Sequence, residues 1–185
     1  QGEPIQLTRI ILLNKPYGVL SQFTTDSSSE TLKTFIREPG FYPAGRLDKD
    51  SEGLIILTND GNLQSQISDP RYKKNKVYVV QVEGCVSKTQ VERLNEGVLL
   101  KDGHARAIEA RIIAPPSIWD RFPPIRERKH IPTSWIEITL NEGKNRQIRR
   151  MTAKIGFPAL RLVRISIANW SLGNLQPGES ISLNI

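Results

Sequence analysis

Three carboxylates at alternate positions, Asp48, Asp50 and Glu52, lie within the run Gly45-Arg46-Leu47-Asp48-Lys49-Asp50-Ser51-Glu52-Gly53-Leu54. Two glycines bracket them, and the apolar stretch Leu54-Ile55-Ile56-Leu57 follows at once. A reactive acid on a short loop at the foot of a rigid strand suits nucleophilic or acid–base work. On spacing alone three uses stay open: a glycosidase-type carboxylate pair, metal ligation, or a solvated loop. Metal ligation is the weakest. The only histidines are His104 and His130, and the spacing fits no calcium loop. A single cysteine, Cys85, excludes an internal disulfide and a cysteine-based zinc site. No metal and no cofactor is expected.

A second candidate is the run Gly143-Lys144-Asn145-Arg146-Gln147-Ile148-Arg149-Arg150-Met151. At about 100° per residue, Ile148, Met151, Thr152 and Ile155 share one helical stripe, the expected buried face. Arg149 falls at the edge of that stripe and Arg150 nearly opposite it. Arg149 is thus placed to turn inward, whereas Arg150 should meet solvent or phosphate. The plain alternative is an amphipathic helix with a solvated basic face. A third candidate is Tyr78 in Lys76-Val77-Tyr78, where a strand aromatic is ordinarily core.

These residues need elements to position them. Arg9 to Leu13 reads as a short strand, ended by the turn Asn14-Lys15-Pro16-Tyr17-Gly18. Thr31 to Ile36 reads as a short helix. Leu54 to Leu57 reads as a central strand covered on both faces. Asn59-Asp60-Gly61 turns into a helix from about Asn62 to Ser68. Lys76 to Gly84 is a strand with Tyr78, Val80 and Val82 on one face and Val77 and Val79 on the other. Ser87-Lys88-Thr89-Gln90 fits a capping box, and Val91, Leu94 and Val98 form one apolar stripe behind it. Ala105 to Ile113 reads as a strand, Pro115 to Pro132 as a long basic loop, and Trp135 to Leu140 as a half-buried strand. Asn145 is placed to cap a helix from Asn145 to Gly156. Leu160 to Ile167 and Ser180 to Ile185 close the chain as strands. Hairpin-like spacings predominate over βαβ alternation. They predict an α+β fold with a long mixed, mainly antiparallel sheet and flanking helices.

The chain has 185 residues, enough to bury a real core. Its formal charge is +7 and its pI near 9.7. From Gly143 to Gly178 there is no acidic residue, against seven basic ones. Arg71, Lys73, Lys74 and Lys76 form a second basic cluster, and Arg121, Arg126, Arg128 and Lys129 a third. A basic balance of this kind points to a polyanion, most commonly nucleic acid. No apolar run approaches the ~18 residues that suggest a membrane span, and no signal peptide is visible. A reducing cytoplasm is the expected location, and a monomer the expected state.

The first run closely resembles the catalytic loop of the RNA pseudouridine synthases, in the branch of the ribosomal small-subunit enzyme and its large-subunit relatives. The match is Gly-Arg-Leu-Asp-x-x-x-x-Gly-Leu, then a strand, then Thr58-Asn59-Asp60-Gly61. The resemblance spans about Arg9 to Ile185. It implies that Asp48 is catalytic, with Asp50 and Glu52 structural. It implies that Arg149 pairs with Asp48, and that Tyr78 packs on the target base. Lys15-Pro16 matches a motif that packs beneath the loop. Arg46 matches an arginine that enters the RNA stack as the base leaves. With it, Lys74, Lys76, Arg126, Arg128, Lys144, Arg146 and Arg150 are the expected RNA contacts. The loop Pro123 to Trp135 resembles that of one large-subunit member, so large-subunit ribosomal RNA is the expected partner. The resemblance also implies two lobes around an RNA cleft, with residues 1–8 a flexible lead-in, residues 9–185 one catalytic domain, and no S4-type RNA-binding domain. Other readings are a sibling enzyme acting on another RNA and a non-catalytic RNA-binding or ribosome-assembly module.

Overall fold

A computed structural model describes residues 7–126 and 128–185. Residues 1–6 of the expected lead-in, and residue 127 of the expected long loop, lie outside that description. The chain forms β1 (Arg9–Lys15), β2 (Val19–Leu20), β3 (Glu30–Thr31), β4 (Tyr42–Ala44) and β5 (Glu52–Thr58). Next come α1 (Gly61–Ser68), β6 (Lys76–Glu83), α2 (Lys88–Glu96), β7 (Val98–Leu100), β8 (Gly103–Ala105) and β9 (Glu109–Ile113). The rest is β10 (Thr133–Leu140), α3 (Gln147–Lys154), β11 (Ala159–Ile167), β12 (Trp170–Ser171) and β13 (Ser180–Asn184).

One long sheet runs β13-β1-β5-β11-β6-β10-β9, with β4 added on β5 and β12 on β11. Its pairings are antiparallel except β5 with β11, which is parallel. The expected mixed, mainly antiparallel α+β sheet is therefore present. The edge of β5 is shared, with β11 beside Glu52 and Gly53, and β4 beside Ile56 to Thr58. Every residue of β5 is buried, as a strand covered on both faces must be.

Strand alternation sorts the core into three clusters. On one face, β1 and β5 give Ile11, Leu13, Ile55 and Leu57, packed with Leu32 and Phe41. Farther along the same face, Val80, Val82, Ile136 and Ile138 pack under Leu94 of α2 and Ile148, Met151 and Ile155 of the α3 region. Tyr78 touches both clusters and so sits at their junction. The opposite face carries a single cluster that includes Ile10, Leu54, Ile56, Val79, Trp135 and Val163.

Local chemistry explains most boundaries. Asp60 accepts from the amides of Asn62 and Leu63 and caps α1. Ser87 and Gln90 form the reciprocal capping box of α2. Three expectations need correction. Gly97 ends α2, so Val98 opens the β7–β8 hairpin instead of extending the helical stripe. Ala105 to Ile113 is two strands in two sheets, because the chain leaves the hairpin at Ala105 before joining β10. Asn145 does not cap α3. The residue before the helix is Arg146, with φ of 49°, and it makes no side-chain cap. The first turn is closed by Gln147, whose Oε1 accepts from the Lys144 amide at 3.1 Å.

Candidate active site

The run from Gly45 to Ser51 connects β4 to β5 as a short, firmly held loop. The Leu47 amide donates to Ser21 Oγ at 3.1 Å, and that hydroxyl donates to the Leu47 carbonyl at 2.6 Å. The Ser51 amide closes a turn on the Asp48 carbonyl at 3.1 Å. Lys15, fully buried beneath, donates to the carbonyls of Pro16 and Val19 at 2.8 Å and of Lys49 at 3.4 Å. Burial pushes its ammonium down to about 7, because charge is disfavoured away from water. Lys15 thus lies where a packing residue under the loop was expected.

Gly53, the second residue of β5, cannot be replaced freely. Its φ is +111°, and an added Cβ would lie 2.2 Å from the Arg164 carbonyl oxygen. This close approach is what lets β5 run parallel beside β11. Arg164 itself, 2% exposed, donates from Nε to the Leu54 carbonyl at 2.9 Å. Its Nη2 donates to the Gly45 carbonyl. One guanidinium therefore ties both ends of the loop.

The three carboxylates of the run have different fates. Glu52 points to the opposite face of the sheet and is buried against Arg161, with contacts of 2.8 and 3.0 Å. Trp119 Nε1 adds a third bond to it at 2.8 Å. Asp50 receives two bonds from Arg146, at 3.0 and 2.8 Å. That guanidinium holds the Asp50 carboxyl below the usual carboxylate range. Asp48 receives one long contact, from Arg146 at 3.3 Å, and its side chain is 42% exposed. Asp48 is thus the least engaged of the three and the one open to a reactant. A glycosidase pairing of Asp48 with Asp50 or Glu52 loses its support, since both candidates are occupied by arginine.

Arg149 does not pair with Asp48. Its Nη2 donates to the Asp50 carbonyl at 2.7 Å and lies 3.6 Å from the Asp50 carboxylate. Arg146 makes the Asp48 contact instead. The left-handed backbone at Arg146 turns its side chain onto the loop, whereas Arg149, one turn into α3, reaches Asp50 and not Asp48. Arg150 is not free for phosphate in this arrangement, because Asp102 of the β7–β8 turn receives it at 2.7 and 3.1 Å. Lys144 is turned onto the His104 carbonyl.

Asp48 opens onto a cavity of about 460 Å³. Arg46, Lys76, Tyr78, Leu162 and Arg164 help to line it, with Lys144, Arg146 and Gln147 on the α3 side. Tyr78 lies directly across from Arg164 in the β6–β11 register, so the ring and the guanidinium share one wall. Lys76, two residues earlier on the same face, is only 9% exposed. Burial and the neighbouring Arg164 lower its ammonium pKa. Of the other expected RNA contacts, Lys74 lies outside the cavity lining, and Arg126 and Arg128 are exposed on the loop between β9 and β10. That loop is anchored nearby, since Arg121 stacks on Tyr17 at 4.1 Å and donates to the Leu160 carbonyl at 3.2 Å.

Arg164 was not singled out from sequence. A signal existed: Arg161 and Arg164 interrupt an apolar strand, and a charge in a buried strand demands an answering group. Among the described residues, no cluster of three or more metal-ligating side chains occurs, and no helix is long and apolar enough to cross a membrane.

With this geometry in place, likeness to known proteins is decisive. The model of the RNA pseudouridylate synthase family matches residues 9–154. The chain belongs to the RNA pseudouridine synthase family. It is 51% identical to ribosomal large subunit pseudouridine synthase E of Vibrio parahaemolyticus, over 95% of this chain and 74% of that protein. It is 52% identical to the synonymous protein of Xanthomonas campestris, over 92% of each. A crystal structure of a pseudouridylate synthase superposes with a TM-score of 0.75 at 26% identity, covering 97% of this chain and 71% of the other.

Proposed function

We propose that this synthase converts one uridine of large-subunit ribosomal RNA to pseudouridine, with Asp48 as the catalytic carboxylate. The observation that carries the reading is the pairing of a lightly engaged Asp48 with a nucleotide-sized cavity walled by Tyr78. Duplex RNA hides its base edges, so the target uridine must be looped or flipped to reach that cavity. Tyr78 offers a flat partner for the unstacked base, an interaction of about 1–3 kcal/mol. Asp48 meets C1′ at the cavity mouth. It acts either by attacking C1′ or by removing a ribose proton, and in both cases the C1′–N1 bond breaks. The base then turns and C5 bonds to C1′, C5 loses its proton and N1 gains one.

Arg46, Lys74, Arg126 and Arg128, which no carboxylate bonds at hydrogen-bond distance among the described residues, carry the surrounding RNA. The large-subunit assignment rests on the names of the Vibrio and Xanthomonas relatives. The reading places the enzyme in the cytoplasm as a monomer, with no cofactor. Affinity dominated by phosphate contacts should fall steeply with salt.

The test is incubation with protein-free large-subunit RNA from a strain lacking the activity, mapped by carbodiimide treatment and primer extension. Wild type should create one new pseudouridine. Asp48→Asn should lower the rate at least about 10³-fold with unchanged RNA binding. Equal activity of the variant would remove Asp48 from the chemistry.

A further inference from the structure

The reaction leaves one charge unaccounted for by Asp48. When C1′–N1 breaks, its electron pair departs with the base, leaving a uracil anion spread over N1, O2 and O4. This holds whether Asp48 attacks C1′ or takes a ribose proton. An anion formed in the cavity needs fixed donors aimed at the atoms that gain charge.

The cavity wall behind Tyr78 supplies two cations that no carboxylate answers among the described residues. Lys76 and Arg164 are buried by nine-tenths or more, yet both line the cavity. Neither makes an ion pair within 4.0 Å among the described residues. Lys76 Nζ has no hydrogen-bond partner there, and neither has Arg164 Nη1. Neither atom is sealed from the cavity, since among the described residues the buried side-chain nitrogen or oxygen atoms without partners are Asn14 Oδ1 and Arg149 Nε. The other carboxylate lining the cavity, Glu142, is taken by Gln147 Nε2 at 2.6 Å. The contrast with Arg161, buried to a similar degree but paired with Glu52, marks the Lys76 and Arg164 arrangement as unfinished. Burying two neighbouring cations without a counter-charge is costly. A ligand that brings negative charge completes it.

Placement selects the base over a backbone phosphate. Asp48 must meet C1′ at the cavity mouth, so the uracil lies inward of it. Tyr78 stacks on that base, and a stacked ring presents its carbonyl edges to the residues flanking the tyrosine. Those residues are Lys76, two positions earlier on the same face, and Arg164, directly across the register. From this we infer that Lys76 Nζ and Arg164 Nη1 are catalytic donors to the uracil carbonyl oxygens, holding the detached base as an anion until C5 rejoins C1′. The inference rests on the proposed uridine isomerisation. Once C5 has bonded and shed its proton, N1 is protonated and the neutral product loses the extra attraction.

The test is a cycle between protein donor and base carbonyl, run on short target RNAs carrying uridine, 2-thiouridine or 4-thiouridine at the modified position. Sulfur is a poor acceptor, so it removes one hydrogen bond at a time. Single-turnover rates are compared for wild type, Lys76→Met, Lys76→Arg and Arg164→Lys, with circular dichroism and RNA affinity measured alongside. Lys76→Met should slow uridine isomerisation about 10²-fold with RNA affinity and fold retained, and Lys76→Arg should recover part of the rate. At one thio position the wild-type to Lys76→Met ratio should shrink at least tenfold, because the bond is already absent. Arg164→Lys should behave likewise at the other oxygen. An equal slowing on all three RNAs would make these residues structural and overturn the inference. So would an unchanged rate with weakened, less salt-dependent RNA binding, which marks a phosphate contact. Absence of pseudouridine with wild type on uridine RNA would instead overturn the proposed function.

Discussion

Arg161 and Arg164 lie three residues apart on β11 and project to opposite faces of the same sheet. Arg161 is closed on all sides: it grips Glu52 twice, donates to the Trp119 carbonyl at 2.9 Å, and lies over the Trp119 ring. Among the described residues Arg164 bonds only main-chain carbonyls, and it lines the cavity with Nη1 unpartnered. The two faces therefore use one kind of side chain for different ends. On the closed face the charge is answered within the chain and fixes the Trp119 loop to β5. On the open face the charge holds the Gly45–Ser51 loop and waits for a partner. Between them runs Glu52-Gly53-Leu54, whose alternation sends the carboxylate to one face while the loop opens on the other.

The comparison breaks first on the closed face. Glu52→Leu leaves Arg161 buried and unpaired, which typically costs about 3–5 kcal/mol. Urea unfolding should show that loss, while pseudouridine formation per folded molecule stays near wild type. A large drop in turnover without a stability change would reverse the division of labour between the faces. Gly53→Ala is the next largest perturbation and should strike both faces together. It forces a Cβ onto the Arg164 carbonyl and a left-handed-side backbone onto alanine, a strain of about 1–3 kcal/mol before the clash is counted. Both unfolding midpoint and turnover should fall. A change in only one of them would show that loop and sheet register are separable.

How far the sequence foretold these faces depends on the range of the interactions. The capping box of α2, the β6 alternation and the Ile148–Ile155 stripe are local, and each lies where periodicity puts it. The loop that carries Asp48 was legible because its glycines and the strand that follows are contiguous. The partner of Asp48 was not. Choosing Arg146 over Arg149 depends on a left-handed residue before α3, and nothing in the spacing marks Arg146 for that conformation. Arg164 was missed for the same reason, since its bonds to Gly45 and Leu54 span more than a hundred residues and end on carbonyls that every residue possesses. The division of Ala105–Ile113 between two sheets likewise follows from β10 pairing, a long-range contact with no local mark.

The smallest expected effect tests the contrast within the loop itself, between Asp50 with its two arginine bonds and Asp48 with one. Asp50 ionises below the usual carboxylate range because Arg146 bonds it directly. Its contribution to stability is therefore fully present above the unfolded-state value of about 3.9. It is lost as pH falls through the lower folded-state value. Arg146→Gln removes the cause, so the Asp50 pKa should rise toward the ordinary range. The pair is partly exposed, so the stability difference at neutral pH should be about 1 kcal/mol or less, shrinking further as the solution is acidified past the carboxylate range. Carboxyl carbon NMR would follow Asp50, and urea unfolding between neutral and acid pH would follow the difference. A difference independent of pH would mean that Arg146 acts by packing and not by charge. In that case its single contact to Asp48 would also be positional, and the reactivity of Asp48 would rest on the loop backbone held by Lys15, Ser21 and Arg164.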